Sequence, residues 1–541
     1  MKRDSYYPLD GEWSLNGQPI QVPYPPQAPL SGWKCEVPEQ LTYQKAFELP
    51  ESFLQDGCHV LLHFGAVDQT AQVYLNDRFV CAHEGGYLPF EADITPLLRP
   101  GSNELRVKAE DRLSHIYPYG KQTKRPHGMW YTPVSGIWQS VWLEQVPEQY
   151  VTNLRISADL DSVTLTVETN TASGEAKVLI DGLDAKTVTV GEAVRIPIPD
   201  PQLWNPASPH LYHFAVQFGQ DRVTSYFALR TVSVMNDVHG GPVIALNGQP
   251  VFLNGLLDQG YHPDGLFLPG DEETYERDIL HAKSLGYNTL RKHIKVEPET
   301  FYEACDRLGM LVIQDMVNAG PYHYVIDTVL PNLGFKRRPD FVPGGRKRKA
   351  FFEAHCRGIQ DHLAGHPCVI AYTIFNEGWG QYDTSRIYRM LKRRDPSRLY
   401  LSYSGWFKGY ETDIDTEHIY FRNEVLVRHD RPLLLTECGG YTYDVRPDNQ
   451  QETYGYGKTS SPAELTDCIE TLFREMVLPS IAKGLNGVIY TQLTDVENEI
   501  NGLYTYDRQV CKVIPERMSA LAREAQDAFD RFVHDQMPEV Q

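Results

Sequence analysis

Two apolar runs each end in a glutamate. The stretch VIAYTIFNEGWG (369–380) stops abruptly in Asn376-Glu377-Gly378-Trp379, and LLLTECGG (433–440) carries Thr436-Glu437-Cys438. A lone carboxylate at a strand end is ordinarily solvated or caps the next helix. Two that face each other across a cleft can cleave a glycosidic bond: one protonates the leaving oxygen while the other attacks or activates water. The same reading of strand ends selects Arg291 and His293 in TLRKH, His418 and Tyr420 in EHIYF, and Gln492 and Asp495 in TQLTD. Asn376 stands beside Glu377, and the indoles Trp379 and Trp406 lie close in sequence to these ends. Arg291 would keep one carboxylate ionised, as a nucleophile requires, while an apolar, indole-rich surround would raise the other, as an acid requires. Plainer roles stay open: Arg291 as a structural ion pair, His418 and Tyr420 as rim packing, Trp379 and Trp406 as loop anchors.

Glutamates 60 positions apart (437 − 377) meet only if a fold brings them together. After about residue 240, apolar strands alternate with amphipathic helices, the pattern of βα units around a parallel sheet. Strands are expected at 251–257, 288–293, 311–316, 369–376, 399–404, 417–421, 432–436 and 487–494. Helices are expected at 271–285, 298–308, 347–363, 384–394, 463–482 and 515–532. Eight such strands are the count of a (β/α)8 TIM barrel, whose active sites lie at the C-terminal strand ends. An open doubly wound sheet would need a glycine-rich phosphate turn, and LNGLLDQGYHPDG carries none. Upstream the grammar is all β. Residues 1–147 read as a jelly-roll sandwich in which Asn76-Asp77 marks a hairpin, and residues 148–236 read as an immunoglobulin-like sandwich. The catalytic barrel then takes 237–541.

Composition narrows the function classes. The formal charge is −20, from 51 basic and 71 acidic residues, and no basic tract is long enough to follow phosphates. Nucleic acid and anionic membranes are therefore not expected partners. No uninterrupted apolar run of about 18 residues is present, and MKRDSYYPLDGEW has no apolar signal core behind its basic start. Nine scattered cysteines, Cys35 to Cys511, include no C-x-x-C pair, which points to free thiols in a reducing, cytoplasmic setting. No cofactor and no metal site are expected. A metal-dependent barrel hydrolase would want His-x-His at the first strand end, where Leu257-Asp258-Gln259 stands. The sequence leaves a homo-oligomer open.

With these residues in view, the chain resembles glycoside hydrolase family 2, whose members include β-galactosidases, β-glucuronidases and β-mannosidases. GGYLPFEADITPLLRPGSNELRVKAED and SGIWQSVWLE resemble its sugar-binding domain. ALNGQPVFLNG, YNTLRKH, FNEGW, LLLTECGGY and DVENEINGLYTYDR resemble successive pieces of its barrel. The resemblance implies Glu377 as acid/base and Glu437 as nucleophile of a retaining double displacement. Asn376 would bond the sugar 2-hydroxyl, and Arg291 and Tyr420 would orient the nucleophile. It implies a carbohydrate substrate, with a β-D-galactoside first. The departures concern the sugar: Gln492 stands near a common tryptophan platform, Gly128 precedes Met129-Trp130 where an acid is usual, and Glu499-Ile500-Asn501-Gly502 lacks the Asn-x-Lys that binds a uronate. A β-uronidase would need Lys336, Arg337 or Arg338 to reach the site. A non-catalytic carbohydrate-binding protein is the other alternative, and retention of both glutamates speaks against it.

Overall fold

The computed structural model describes residues 1–49, 53, 57–333, 345–446 and 453–534. Strand patterning accounts for the first two layers of architecture. Ser102–Glu110 alternates buried and exposed positions, as does Glu175–Ile180, so each belongs to a sheet with one face on a core. In the first sandwich a six-stranded antiparallel sheet packs against a four-stranded one around Trp13, Tyr43, Val73 and Leu143. The expected hairpin is present: Thr70–Leu75 returns as Arg78–Glu84 through Asn76 and Asp77, both with positive φ of 52° and 65°. Sheets of three and four strands make the second sandwich, cored by Val167, Val178, Val216 and Val223. A hairpin of Val232–Asn236 and Pro242–Leu246 then leads into the barrel.

Barrel strands show the opposite pattern, burial at nearly every position, because helices cover their outer faces. In chain order they are β1 (Leu253–Asp258), β2 (Thr289–Lys292), β3 (Leu311–Asp315), β4 (Val369–Thr373), β5 (Leu399–Leu401), β6 (Asp415–Ile419), β7 (Leu433–Gly439) and β8 (Leu485–Thr491). The helices are α1 (Glu273–Ser284), α2 (Glu299–Leu308), α3 (Arg346–Leu363), α4 (Thr384–Arg394), α5 (Pro462–Leu472) and α6 (Pro515–His534). All pairings are parallel, in the order β5-β4-β3-β2-β1-β8-β7-β6. The β5–β6 seam lacks a ladder and is closed by side chains, with Thr416 donating to the Tyr403 carbonyl at 3.2 Å and Ser404 Oγ 2.7 Å from His418 Nε2.

Several boundaries move. The helix expected over 463–482 ends its regular turns at Leu472 and continues as wider turns over Phe473–Val477, then Leu478–Ile481. β7 runs past the expected 436 to Gly439, with an irregular register between Leu435 and Cys438. Glu437 falls within that irregularity, and bulges beside active sites commonly re-aim a side chain. No helix of the described residues is long and apolar enough to cross a membrane.

Candidate active site

The rim of the barrel gathers the polar strand ends around Glu437. Arg291 Nη1 donates to Glu437 Oε1 at 2.9 Å, and the Tyr420 hydroxyl donates to Oε2 at 2.5 Å. Arg291 is wholly buried and its remaining N–H groups are all engaged. It reaches Asp315 at 3.0 and 2.9 Å, Asn376 Oδ1 at 2.9 Å and the Thr436 carbonyl at 3.0 Å. Burial pushes the Glu437 carboxyl up, but His418 and Arg291 beside it, with His293 and Lys121 further away, pull it down to about 2. The carboxylate is therefore ionised through the neutral range. Burial, and then Glu437, hold the Tyr420 phenol well above its usual range, so it remains a donor.

Glu377 follows β4 with φ 49°, in the left-handed region, which strains a glutamate and is found at functional sites as well as in turns. Its N–H donates to the Ser404 carbonyl at 2.8 Å, which holds the bend against the end of β5. His418 lies between the two glutamates, its Nδ1 2.9 Å from Glu377 Oε1 and 3.5 Å from Glu437 Oε2. Ser404 Oγ, 2.8 Å from Thr436 Oγ1, fixes the other ring nitrogen. One oxygen of each glutamate and a ring nitrogen of His418 all fall within 4.8 Å of one another. Such a trio can ligate a cation. Here His418 is already bonded on both nitrogens and Glu437 on both oxygens, with the fixed charge of Arg291 at 2.9 Å, so the donors suit a proton-transfer pair better than a metal.

The other residues singled out by sequence divide into those at the pair and those away from it. His293 Nδ1 meets Asp315 Oδ2 at 2.7 Å, and burial, then Lys121, lower its imidazole to about 4, leaving it neutral. Trp406 donates its N–H to the Asp327 carbonyl at 2.9 Å and sets its ring edge-on to His418 at 5.8 Å. Trp379 donates to the Gly320 carbonyl at 2.8 Å and meets Trp130 and Tyr119 edge-on at 5.2 and 5.3 Å. Both indoles anchor loops and wall the mouth. Gln492 accepts from Gln259 at 2.9 Å and donates to Asn501 at 2.8 Å, so its amide is committed to neighbours. Asp495 is bonded to the segment that follows β8. Lys512 donates to its carboxylate at 2.7 Å and the Gly502 N–H at 2.8 Å, clasping the stretch after β8. Burial, which outweighs Lys512, pushes Asp495 up to about 6. Lys336, Arg337 and Arg338 lie outside the described residues.

Sequence reasoning assigned no role to several groups now at the rim. Asp315 and Ser404 sit at strand ends and were legible by that rule. Tyr456, whose ring lies 4.4 Å from Tyr420, comes from the loop after β7, and Gly440 permits it, since a Cβ there would stand 2.6 Å from its ring. Tyr131, whose hydroxyl donates to the buried Glu499, arrives from the first sandwich, and no periodicity signals that.

Comparison with known proteins places the chain in a family. Residues 9–147 match "Glycosyl hydrolases family 2, sugar binding domain", 146–230 match "Glycosyl hydrolases family 2", and 238–434 match "Glycosyl hydrolases family 2, TIM barrel domain". The chain belongs to glycoside hydrolase family 2. Among relatives within reach by sequence, a β-galactosidase of Thermoanaerobacter pseudethanolicus is 29% identical over 371 residues, 64% of this chain and 47% of that protein. A β-galactosidase of Enterobacter cloacae is 25% identical over 452 residues, 75% of this chain and 40% of that protein. This family 2 chain thus spans about half or less of the length of the curated relatives it matches. Solved structures match it almost end to end. A β-glucuronidase from an uncultured Clostridium superposes with TM-score 0.77 at 18% identity, covering 97% of this chain and 99% of that one. A β-galacturonidase from Eisenbergiella tayi gives 0.69 at 19%, covering 96% of each. At such identities the match is one of fold.

Proposed function

We propose that the chain is a retaining exo-β-glycosidase that removes a terminal non-reducing sugar, a β-D-galactoside in the first instance. The observation that carries the reading is the pair itself: Glu377 and Glu437 bring carboxylate oxygens within 4.8 Å, with Glu437 held ionised. Retaining enzymes place their carboxyl groups about 5–5.5 Å apart, whereas inverting ones leave roughly 6.5–9.5 Å for a water. In the first step Glu437 attacks the anomeric carbon while the glycosidic oxygen leaves with the proton of Glu377. In the second, Glu377 takes a proton from water, whose oxygen displaces Glu437 from the same carbon. Arg291 and Tyr420 hold the nucleophile through both steps, and Asn376, fixed by Arg291, faces the sugar. The choice of galactose follows the curated relatives. The structural neighbours named for glucuronide and galacturonide make a β-uronide the second reading. A panel of nitrophenyl glycosides, with the product anomer followed by NMR, tests both. Retention with one sugar is the expected result, and inversion, or no turnover of any glycoside, would overturn the reading.

A further inference from the structure

Residues 114–135 of the first sandwich lie over the barrel mouth. Tyr119 N–H donates to the Asn318 carbonyl at 3.0 Å, its hydroxyl to the Gly320 carbonyl at 3.0 Å, and Thr132 N–H to Glu497 at 2.9 Å. Gly120 has φ 65°, and a Cβ there would stand 2.9 Å from the Ile294 carbonyl, so glycine allows the chain to touch the turn that follows His293. Lys121 comes next. Its carbonyl accepts the Tyr131 N–H at 3.0 Å, and the Tyr131 hydroxyl donates to Glu499. The lysine is thus pinned between the turn after β2 and the Tyr131–Glu499 contact, and its charge acts on Glu437, His293 and Glu499 together.

Despite that position, the half-buried Lys121 ammonium makes no hydrogen bond or ion pair among the described residues. An ammonium has three N–H donors and no acceptor, and a substrate group entering beside it can take one of them over from water. Glu499 is the complementary group. It is buried, accepts from Tyr131 on Oε2 and from Asn501 on Oε1 at 3.0 Å, and a carboxylate has room for about four such bonds. A hydroxyl is the group that accepts from an ammonium and donates to a carboxylate at once. A uronate carboxylate donates nothing, and it would have to enter beside Glu499, Glu437 and Glu377.

We propose that Lys121 is a specificity-determining residue of the glycone pocket, its ammonium donating to a hydroxyl of an uncharged hexose whose proton is given to Glu499. The inference rests on the glycosidase reading above and deepens it.

The test compares wild type, Lys121→Ala and Glu499→Gln on nitrophenyl β-galactoside, β-glucuronide and β-galacturonide, with melting temperatures confirming folding. Lys121→Ala is expected to lower kcat/KM on the neutral glycoside about 30-fold, the worth of one charged hydrogen bond to substrate. The double variant should lose less than the product of the two single losses, since both groups hold one hydroxyl. On a series of mono-deoxy galactosides, the deoxy sugar on which Lys121→Ala has no further effect identifies that hydroxyl. An unchanged kcat/KM in Lys121→Ala overturns the proposal, as does a wild type that prefers a uronide and loses that preference with Lys121. A wild type that turns over no glycoside overturns the functional reading instead. Calorimetry with free galactose then still decides, weaker binding by Lys121→Ala supporting the pocket and equal binding rejecting it.

Discussion

The two β-sandwiches grip the same barrel at opposite ends. The first reaches over the C-terminal strand ends, where Tyr131 bonds Glu499 and Trp130 meets Trp379. The second braces the N-terminal ends. Trp204 donates its N–H to the Asp306 carbonyl at 2.7 Å, and Tyr226 its hydroxyl to the Asp306 carboxylate at 2.7 Å. Arg230 donates to the carbonyls of Pro367 and Val369 at 2.9 Å each, where β4 begins. Gly309 ends α2 at φ 71°, and a Cβ there would come within 2.6 Å of the Pro206 carbonyl, so the joint is closed backbone to backbone. Barrels keep chemistry at the top and stability at the bottom. One sandwich therefore shapes the site, and the other supports the molecule that carries it.

The largest effect should come from the barrel's own residues, which neither sandwich supplies. Glu437→Ala is expected to lower kcat/KM on the order of 10⁴-fold or more while the protein stays folded, measured with the best glycoside of the panel. Residual activity near wild type would place the chemistry elsewhere. Next, Trp204→Ala should cost about 3–5 kcal/mol in urea unfolding through the cavity it leaves, with kcat/KM of the folded protein unchanged. Loss of specific activity without loss of stability would reverse the roles assigned to the second sandwich.

The joint of the first sandwich is expected to weaken in acid. His355 of α3 is buried against Tyr87 with both ring nitrogens unbonded, and burial, with His83 facing it, lowers it to about 3. A folded imidazole harder to protonate than the unfolded one contributes stability that is complete above about pH 6.5 and lost as the pH falls toward 3. His355→Leu should remove a share of that loss on the order of 3 kcal/mol, read as a flatter plot of melting temperature against pH. An unchanged slope would mean the joint does not titrate. The smallest expected effect is Tyr131→Phe, which strips Glu499 of one donor: about 1–3 kcal/mol, divided between stability and KM, with kcat largely kept. A fall in kcat alone would tie the first sandwich to the chemical step.

Much of this architecture is legible in the sequence alone. Continuous burial of the barrel strands follows from runs such as VIAYTIF, and the strand-end rule locates Arg291, Asn376, Glu377, His418, Tyr420 and Glu437. It works because a barrel exposes polar residues where strands stop. It is less informative where strands stop elsewhere: β8 ends at Thr491, and Asp495, four positions on, closes a structural clasp with Lys512. The indoles Trp379 and Trp406 are legible as residues of this neighbourhood, but their N–H partners are the carbonyls of Gly320, in the loop after β3, and of Asp327, in the helical turns of Val325–Val329, a stretch the sequence reading assigns to no element.

By itself the amino-acid order determined local matters: which segments are strands, which faces are apolar, and which side chains end them, because period and propensity act over a few residues. Only the tertiary structure decided that Tyr131 of the first sandwich meets Glu499 of the barrel, and that His418 stands between two glutamates. The first of these contacts joins residues 368 positions apart and depends on how the first sandwich docks on the barrel, and the second depends on how β4, β6 and β7 come together in it, which no local pattern encodes.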